Sequence, residues 1–384
     1  MRIFILGTGV TGSLLAKLLT RQGHHVSCGD RDPERARRFL GDASVIPVER
    51  VNARDMWSIV KVARGNQLLI NACPAVFNLT IIRAALRVRA HYLDTAAHLT
   101  ESPFRAEQRQ FSRRFEEKRR SAVITAGVAP GLTNLLVAAA ADFLESIHSV
   151  RVRLYESTES DDPVSQWSAE VSFDEAVSRP RVYHDGHFSL GQRFGEREVF
   201  RFPAPIGPVK VMLAAQDEVV TVPHHIPLQS MDAKIGGPDM ERLRKWYRQG
   251  KLRKSRGLVP SRFPRTPTPG TVDRLIQRGI LHNERFAAAV VVEGVKDDRV
   301  TTVRWDVTMP SLYQLYRQGQ LRSPIAWATA EMTSIFVKHF PSKAFGVHPP
   351  EALASPVRRA ILHDARTRGF RIVKRVSSRP LSTM

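Results

Sequence analysis

Three glycines near the amino end of the chain have the spacing of a phosphate-binding turn. Gly7, Gly9 and Gly12 directly follow the apolar run of residues 3–6. In such a turn the first glycine permits a tight bend, the second lets the backbone approach a pyrophosphate, and the third lets the next helix pack close to the strand. The N-terminal N–H groups of that helix stabilise phosphate charge. The pattern therefore predicts a dinucleotide site.

An acidic residue stands where the adenosine ribose of such a dinucleotide would lie. Asp30 ends the second predicted strand, close to the spacing of about 20 residues at which an acid binds the ribose hydroxyls. A carboxylate at this point favours NAD. Arg31 and Arg35 follow it and supply the cations that the 2′-phosphate of NADP requires. The cofactor is thus predicted as NAD or NADP.

The elements that must position these residues alternate regularly. After the glycines, helix-like stretches separate short apolar runs that end near Ala72, Thr95 and Ala126. This alternation predicts an α/β fold with a doubly wound parallel Rossmann sheet over residues 1–125. Ligands bind at the carboxyl ends of the strands in such a sheet. That rule selects residues 7–12, 71–74, 92–95 and 127–134 as the candidate site.

The middle of the chain has a different pattern, and 384 residues exceed the usual size of one core. Residues 150–155 alternate apolar and charged side chains, and residues 287–292 form a continuous apolar run. Asp185 and Gly186 separate two strand-like runs and predict a hairpin turn. We therefore expect a second, α+β domain over residues 126–335 with a mainly antiparallel sheet.

The strong positive charge is partly local. The net charge is +21, and residues 242–265 contain ten basic side chains and no acidic one. Such a segment is typical of nucleic-acid binding, or of an enzyme that takes anionic ligands. No known nucleic-acid motif accompanies it, so we do not expect nucleic acid as a partner.

Membrane and metal functions have little support in the sequence. No apolar run approaches the roughly 18 residues of a membrane span, and the N-terminus lacks the features of a signal peptide. We therefore expect a cytoplasmic protein with no membrane partner. His184, His187, His224 and His225 come in pairs without a third ligand at a recognised spacing, so no metal site is predicted.

Six separated segments carry a common resemblance over residues 1–369, which is weakest across residues 242–274. They are the glycine turn and residues 70–74, 91–95, 126–134, 166–168 and 345–351. Together they resemble the saccharopine dehydrogenase family, of the saccharopine reductase and carboxynorspermidine dehydrogenase type. The resemblance implies an NAD(P)-dependent oxidoreductase that reduces an imine or oxidises a secondary amine of an amino-acid-derived small-molecule substrate. It also implies a homodimer, and a C-terminal segment, residues 336–384, that packs back on the Rossmann domain.

One departure concerns the substrate. Family members that handle saccharopine carry an arginine-containing stretch in the second domain, whereas here residues 220–225 end in His224 and His225. Imidazoles cannot replace the bidentate fork that arginine offers a carboxylate. The substrate therefore stays open.

The candidate residues fall into three groups. Tyr92 and Asp94, at a strand end, are the predicted catalytic pair and would supply a proton. The alternative is that Asp94 caps a following helix and Tyr92 is a buried core residue. Substrate contacts are predicted for Pro130, Gly131, Asn134, Trp167 and His224, with an interdomain hinge as the alternative for the first three. The predicted cofactor contacts are Gly7, Thr8, Gly9, Val10, Thr11, Gly12, Asp30, Arg31, Asn71, Ala72, Pro74, Asp94, Thr95 and Gly127.

Two other functions are compatible with the sequence. The first is a reductase of a lipid- or polyketide-type substrate on the same scaffold. The second is a non-catalytic dinucleotide-binding protein whose basic segment contacts nucleic acid. The first requires an apolar substrate tunnel near Trp167, and the second requires salt-sensitive nucleic-acid binding without nicotinamide turnover.

Overall fold

The computed structural model describes residues 1–41, 45–166, 168–252, 264 and 266–380. Its first unit is a seven-stranded parallel sheet with helices on both faces, which confirms the predicted Rossmann architecture. Its elements are β1 (Arg2–Leu6), α1 (Val10–Arg21), β2 (His25–Asp30), α2 (Pro33–Leu40), β3 (Val48–Arg50), α3 (Met56–Ala63), β4 (Leu68–Asn71), α4 (Asn78–Val88), β5 (His91–Asp94), α5 (Ser112–Glu117) and β6 (Ser121–Val123).

The central strand shows why this sheet forms. Four successive residues of β1, from Ile3 to Leu6, are at most 1% exposed, as expected of a parallel strand covered on both faces. It pairs in parallel with β2 on one side and β4 on the other. α1 begins at Val10, so Gly12 lies in its first turn rather than before the helix.

One predicted helix is shorter than its charge pattern suggested. The sequence indicates a helix over residues 103–120, but a 3₁₀ helix, Glu107–Phe111, precedes the short α5. The Glu107 carboxylate accepts hydrogen bonds from the backbone N–H groups of Glu101 and Ser102, at 2.7 and 3.2 Å. These bonds hold the preceding segment as a loop.

The second unit is built on a nine-stranded sheet that is antiparallel except where β7 and β12 run in parallel. Its elements are α6 (Leu132–Ala141), β7 (Ser146–Ser160), α7 (Ala169–Val177), β8 (Arg181–His184), β9 (His187–Leu190), β10 (Glu198–Arg201), β11 (Pro208–Leu213), α8 (Glu218–Thr221), β12 (Ser230–Gly236), α9 (Pro238–Arg248), α10 (Pro269–Gln277), β13 (Leu281–Lys296), β14 (Arg299–Thr308) and α11 (Leu312–Arg317).

The predicted hairpin is present between β8 and β9. Asp185 and Gly186 at its tip have φ of +48° and +79°, the conformation that a two-residue hairpin turn requires.

The C-terminal part of the chain contributes to both units. Its elements are α12 (Pro324–Lys338), β15 (Gly346–His348), α13 (Ser355–Thr367) and β16 (Arg371–Pro380). α12 packs on α1, and β15 joins the parallel sheet beside β6. β16 instead pairs with β14 along ten residues of the second sheet. Only part of residues 336–384 therefore packs on the Rossmann unit.

A single continuous core fixes the two units to each other. One cluster of buried side chains runs from Ile5 in β1 through Leu135 in α6 and Trp327 in α12 to Val290 in β13. Since both sheets contribute to this cluster, the position of one unit relative to the other is defined.

Two sequence expectations can be compared with the described ranges only in part. Within those ranges, no helix has both the length and the apolar character needed to cross a membrane. Most of the basic segment after Leu252 lies outside the described residues.

Candidate active site

The glycine turn forms an open cradle between β1 and α1. A Cβ on Gly7, where φ is +95°, would lie 2.8 Å from the carbonyl carbon of Ala72. A Cβ on Gly12 would lie 1.9 Å from the carbonyl oxygen of Gly7. A Cβ on Gly9 would meet no atom within 4 Å. Two glycines thus allow close packing inside the protein, while Gly9 borders free space at the start of α1, a shape that fits a pyrophosphate.

Asp30 ties the end of β2 to this turn. Its Oδ2 accepts a hydrogen bond from the Thr8 backbone N–H at 2.8 Å, and its Oδ1 accepts one from the Asp32 N–H at 3.0 Å. Asp30 is half-buried, whereas Arg31 beside it is exposed. The guanidinium of Arg35 lies 5.1 Å above the ring of Phe39. An acid and a free arginine therefore stand together at the adenosine end of the cradle.

Asn71 shapes the loop at the end of β4. Its side-chain Nδ2 donates to Asn78 Oδ1 at 2.7 Å and to the Tyr92 hydroxyl at 3.2 Å, and its Oδ1 accepts from the Cys73 N–H at 2.9 Å. Asn71 is 1% exposed. It positions the loop from inside, while Ala72 and Pro74 lie half-buried at the rim.

Tyr92 and Asp94 lie just beneath the strand ends. Asp94 Oδ1 accepts a hydrogen bond from the Thr125 N–H at 2.8 Å, and Oδ2 accepts one from Gln108 Nε2 at 3.0 Å. The Tyr92 hydroxyl, which accepts a hydrogen bond from Asn71 at 3.2 Å, interacts electrostatically with Asp94. No helix begins after Asp94, so it does not cap one; Tyr92 is buried in the core. The pair links β5 to the loop after β6.

Burial controls the acidity of this pair. It raises the pKa of the Asp94 carboxyl to about 7, although the hydrogen bonds from Gln108 and Thr125 act in the opposite direction. Burial likewise raises the pKa of Tyr92 well above its usual value. A carboxyl with a pKa near 7 can hold a proton at neutral pH, the range in which general acid–base groups work best.

The surroundings of Gly127 include a residue that sequence analysis missed. A Cβ on Gly127 would lie 3.6 Å from Cβ of Thr95 and 3.5 Å from Cγ2 of Thr329. Thr329 belongs to α12, far along the chain. No sequence signal marks it, because only the packing of α12 against distant parts of the chain brings it beside Gly127.

Pro130, Gly131 and Asn134 lie in a closed junction between the two units. Asn134 is 0% exposed, and its Oδ1 accepts from the Gly131 N–H at 2.8 Å. Its Nδ2 donates to Thr221 Oγ1 and to Glu351 Oε2, each at 3.0 Å. Asn134 therefore joins three segments that are distant in sequence.

The N-terminus of α6 is already satisfied by the loop that precedes it. The Leu132 N–H donates to the Gly127 carbonyl at 3.1 Å, and the Thr133 N–H donates to the Val128 carbonyl at 3.2 Å. These N–H groups are the donors that an anionic substrate group would use at a helix start. The geometry gives this loop a positioning role, and its contact with substrate stays a prediction.

Two buried glutamates complete the junction. Glu218 Oε1 accepts a hydrogen bond from Thr133 Oγ1 at 2.6 Å, beside the bond from Asn134 to Glu351. Burial raises the pKa of each carboxyl to about 7. Glu351 lies in a segment that carries the family resemblance, whereas nothing in the sequence around Glu218 marks it.

Of the last two predicted substrate residues, the structure describes only His224, which is not part of this edge. His224 is exposed; its Nε2 lies 2.8 Å from the Phe104 carbonyl, and its ring lies 5.2 Å from that of Phe188. It therefore belongs to a contact between β9 and the loop after β5. Trp167 lies outside the described residues.

Comparison with known proteins agrees with this geometry. Residues 3–125 match the family described as saccharopine dehydrogenase NADP binding domain. Saccharopine dehydrogenase (L-Glu forming) from Saccharomyces cerevisiae has a similar fold, with a TM-score of 0.71 and 12% identity over 98% of this chain and 99% of that chain. The C. glutamicum DAP dehydrogenase in complex with DAP has a TM-score of 0.47 and 14% identity, over 96% of this chain and 98% of that chain. The family match confirms the predicted cofactor class, NAD or NADP.

Proposed function

We propose that this NAD(P)-dependent oxidoreductase acts at a carbon–nitrogen bond of an amino-acid-derived substrate. The match of residues 3–125 to the saccharopine dehydrogenase NADP binding domain supports the proposal. The observation that carries the proposal is that the open cradle at Gly9 and the buried carboxyl of Asp94, whose pKa is raised to about 7, lie at the same edge of the sheet. In the reductive direction an imine becomes a secondary amine, and the reverse reaction oxidises that amine.

The chain divides the work of such a reaction among its strand ends. When bound, the nicotinamide supplies or accepts the hydride. Asp30 and the cradle at Gly9 hold the dinucleotide, and Ala72, Pro74, Thr95 and Gly127 surround the cleft beside it. Proton transfer to the nitrogen is the other requirement of imine reduction.

We propose Asp94 as the residue that holds this proton, with Tyr92 orienting its carboxyl. Burial keeps Asp94 protonated up to about pH 7, and Thr95 follows it directly at the rim of the cleft. The proton leaves Asp94 as the imine nitrogen gains one, and the electron pair of the new C–H bond comes from the reduced cofactor. Asp94 is regenerated by solvent after product release.

The direct test of the function is a turnover screen. Purified protein is mixed with NADH or NADPH and with amines paired against keto acids and aldehydes, and the loss of reduced-nicotinamide absorbance is followed. We expect cofactor binding with either nucleotide and turnover only when an amine and a carbonyl compound are both present. Turnover with the carbonyl alone would indicate an ordinary carbonyl reductase, and absence of binding to both nucleotides would refute the proposal.

Asp30→Ser should shift the cofactor preference toward NADPH by about tenfold or more, the scale of one charged hydrogen-bonding contact. The substitution removes the negative charge that opposes a 2′-phosphate and leaves Arg31 free to pair with it. Serine still offers an oxygen to the Thr8 N–H. Fluorescence titration gives the Kd of each nucleotide, with Glu49→Ser as the matched control because it removes an exposed carboxylate from the neighbouring strand β3. An unchanged ratio would remove Asp30 from the ribose site.

Asp94→Asn should lower kcat/KM by about 10²–10⁴-fold, the usual contribution of general acid catalysis. In the wild type, reductive activity should fall as the pH rises through about 7, because Asp94 must be protonated. Asparagine cannot titrate, so the variant's profile should be flat in this range. Tyr92→Phe, which keeps the ring in the core, should retain the pH dependence with a smaller loss. The same pH limb in Asp94→Asn would assign the proton to another group.

A further inference from the structure

An arginine-lined cavity lies on the outer face of the second sheet. In the pairings of β14, Arg304 stands opposite Val291 of β13 and Arg375 of β16. Directly opposed residues, and residues two apart on a strand, point to the same face, so Arg304, Asp306 and Arg375 share one face. Trp305 points to the other face, which belongs to the continuous core that joins the two units. The arginine face therefore points away from that core.

The loop between β10 and β11, residues 202–207, forms the other wall of the cavity. Phe202 packs with Ala289 of β13 in a small buried cluster, which fixes the loop on the sheet. The space between the loop and the sheet is about 380 Å³, within the range of about 300–1,000 Å³ typical of small-molecule sites. Its lining consists of five loop residues and the arginines Arg201, Arg304 and Arg375.

A buried carboxylate orients two of these arginines. Asp306 is 1% exposed, and it accepts hydrogen bonds from Arg304 Nε at 3.0 Å and Nη2 at 2.8 Å. It also accepts one from Arg375 Nη1 at 2.8 Å. The Arg304 guanidinium lies 4.8 Å from the centre of the Phe200 ring. These contacts hold two guanidinium groups in defined positions on the cavity wall.

The three arginines have more positive charge and more donors than the protein uses. Arg304 Nη2 also donates to the Arg201 carbonyl at 2.7 Å. Within the described part of the chain, Arg304 Nη1, Arg375 Nη2 and the side chain of Arg201 have no hydrogen-bond acceptor. None of the lining residues is acidic, so Asp306 balances one of three positive charges and a net charge of +2 is left.

The unused donors and the remaining charge fit a phosphate group. A guanidinium binds two oxygens of a carboxylate or a phosphate at once. A carboxylate has only two oxygens and one charge, which a single guanidinium satisfies. A phosphate monoester has three terminal oxygens and a charge of about −1.5 to −2 at neutral pH. Because the arginines come from three strands, β10, β14 and β16, the arrangement favours the phosphate.

Apolar groups border the charged part of the cavity. Phe202 and Pro205 belong to its lining. A second cavity, of about 500 Å³, shares Pro205 and is bordered by Tyr313, a side chain that is 55% exposed. The acid that lines this second cavity, Glu159, is paired with Arg285. The two cavities therefore offer an apolar surface beside the arginines, which fits a ligand with an organic body.

We propose that this cavity binds a small organic phosphate monoester, with its phosphate on Arg201, Arg304 and Arg375 and its apolar body on the loop of residues 202–207. The site is separate from the dinucleotide cradle and shares no residue with the candidate active site. The proposal is therefore additional to the proposed function and does not depend on it. A ligand held in this way would tie the loop to β14 and β16 and would stabilise the folded protein.

Thermal unfolding of the full-length protein tests the site without turnover. Phenyl phosphate should raise the Tm by about 2 °C or more through preferential binding to the folded state. Inorganic phosphate lacks the apolar body and should need a higher concentration for the same rise. Benzoate at the same ionic strength has the ring but carries a carboxylate, and it should give no comparable rise. Arg201→Gln and Arg375→Gln should each weaken the apparent affinity for phenyl phosphate about tenfold or more, the scale of one charged hydrogen bond.

Two control variants locate the binding. Arg371→Gln removes an exposed arginine from the same strand as Arg375 but outside the cavity, so it should keep the wild-type response. Gly9→Ala alters the dinucleotide cradle and should also keep it. Loss of the response in Gly9→Ala would place the phosphate in the cradle and would overturn the proposal.

Three other outcomes would also overturn it. The first is equal protection by benzoate, and the second is an unchanged response in both Arg201→Gln and Arg375→Gln. The third concerns the free protein. Because the Arg201 side chain bonds to no described residue, Arg201→Gln should leave the Tm without ligand unchanged, and a fall of several degrees would show that this arginine serves the fold.

Discussion

Gly12→Ala should abolish dinucleotide binding and destabilise the protein, whereas Gly9→Ala should impair binding alone. A Cβ at position 12 would lie 1.9 Å from the Gly7 carbonyl oxygen, so α1 must move away from β1 to admit it. Overpacking of a tight contact costs about 1–3 kcal/mol or more. The displaced helix would also carry its N-terminal N–H groups away from the pyrophosphate.

Gly9→Ala is the matched control because position 9 lies in the same turn as position 12 but has room for a Cβ. No protein atom lies within 4 Å of a Cβ at this position, and its φ of −81° suits any residue. The methyl group would occupy the space through which the pyrophosphate approaches, so the Kd for NADH and NADPH should rise about tenfold or more. Urea unfolding without nucleotide should give the wild-type stability.

Together the two variants distinguish packing from ligand contact. Loss of stability in Gly9→Ala would show that position 9 is a structural glycine. Unchanged nucleotide affinity in both variants would place the cofactor elsewhere and would contradict the proposed function.

Asn134→Ala should lower the free energy of unfolding by about 3–5 kcal/mol, the range for breaking a buried polar network. The amide makes hydrogen bonds to Gly131, Thr221 and Glu351. Alanine would leave three buried groups unsatisfied at the junction of the two units. Urea unfolding followed by tryptophan fluorescence measures the loss.

A control and a second readout make this prediction specific. Asn66→Ala removes one hydrogen bond, to the Ala63 carbonyl at 3.2 Å, at a half-buried turn, and should cost about 1 kcal/mol or less. Because Asn134 fixes the loop that contains Gly127, its loss should also lower kcat while the Kd of the nucleotide changes little. A stability change equal to that of Asn66→Ala would mean that the junction relaxes and water satisfies it.

The fold of the first unit and the class of cofactor were predictable because their causes are local. A glycine turn, the apolar strands around it and the acid at Asp30 depend on residues close together in sequence. The rule that parallel strands bind ligands at their carboxyl ends then placed Asn71, Asp94 and Gly127 near one another. The hairpin at Asp185 and Gly186 was predictable for the same reason, since two residues determine its turn.

The roles of individual side chains depended on contacts that sequence spacing does not encode. Asp94 accepts a hydrogen bond from the Thr125 N–H in the loop after β6 instead of capping a helix. The segment that follows Asp94 is a loop because Glu107 binds its backbone N–H groups. The N–H groups at the start of α6 donate to backbone carbonyls of the loop that precedes the helix. Thr329 lies beside Gly127 only because α12 packs against segments that are distant in sequence.

The sequence by itself determined that this protein has a Rossmann domain for NAD or NADP, because strand, turn and helix signals there are short-range. Only the tertiary structure decided which polar groups are buried and which of them are paired. It closed the junction around Asn134 and buried the Asp94 carboxyl between hydrogen-bond donors from Gln108 and Thr125. Burial and pairing arise when distant segments pack together, and they set the pKa values and binding preferences on which the chemistry depends.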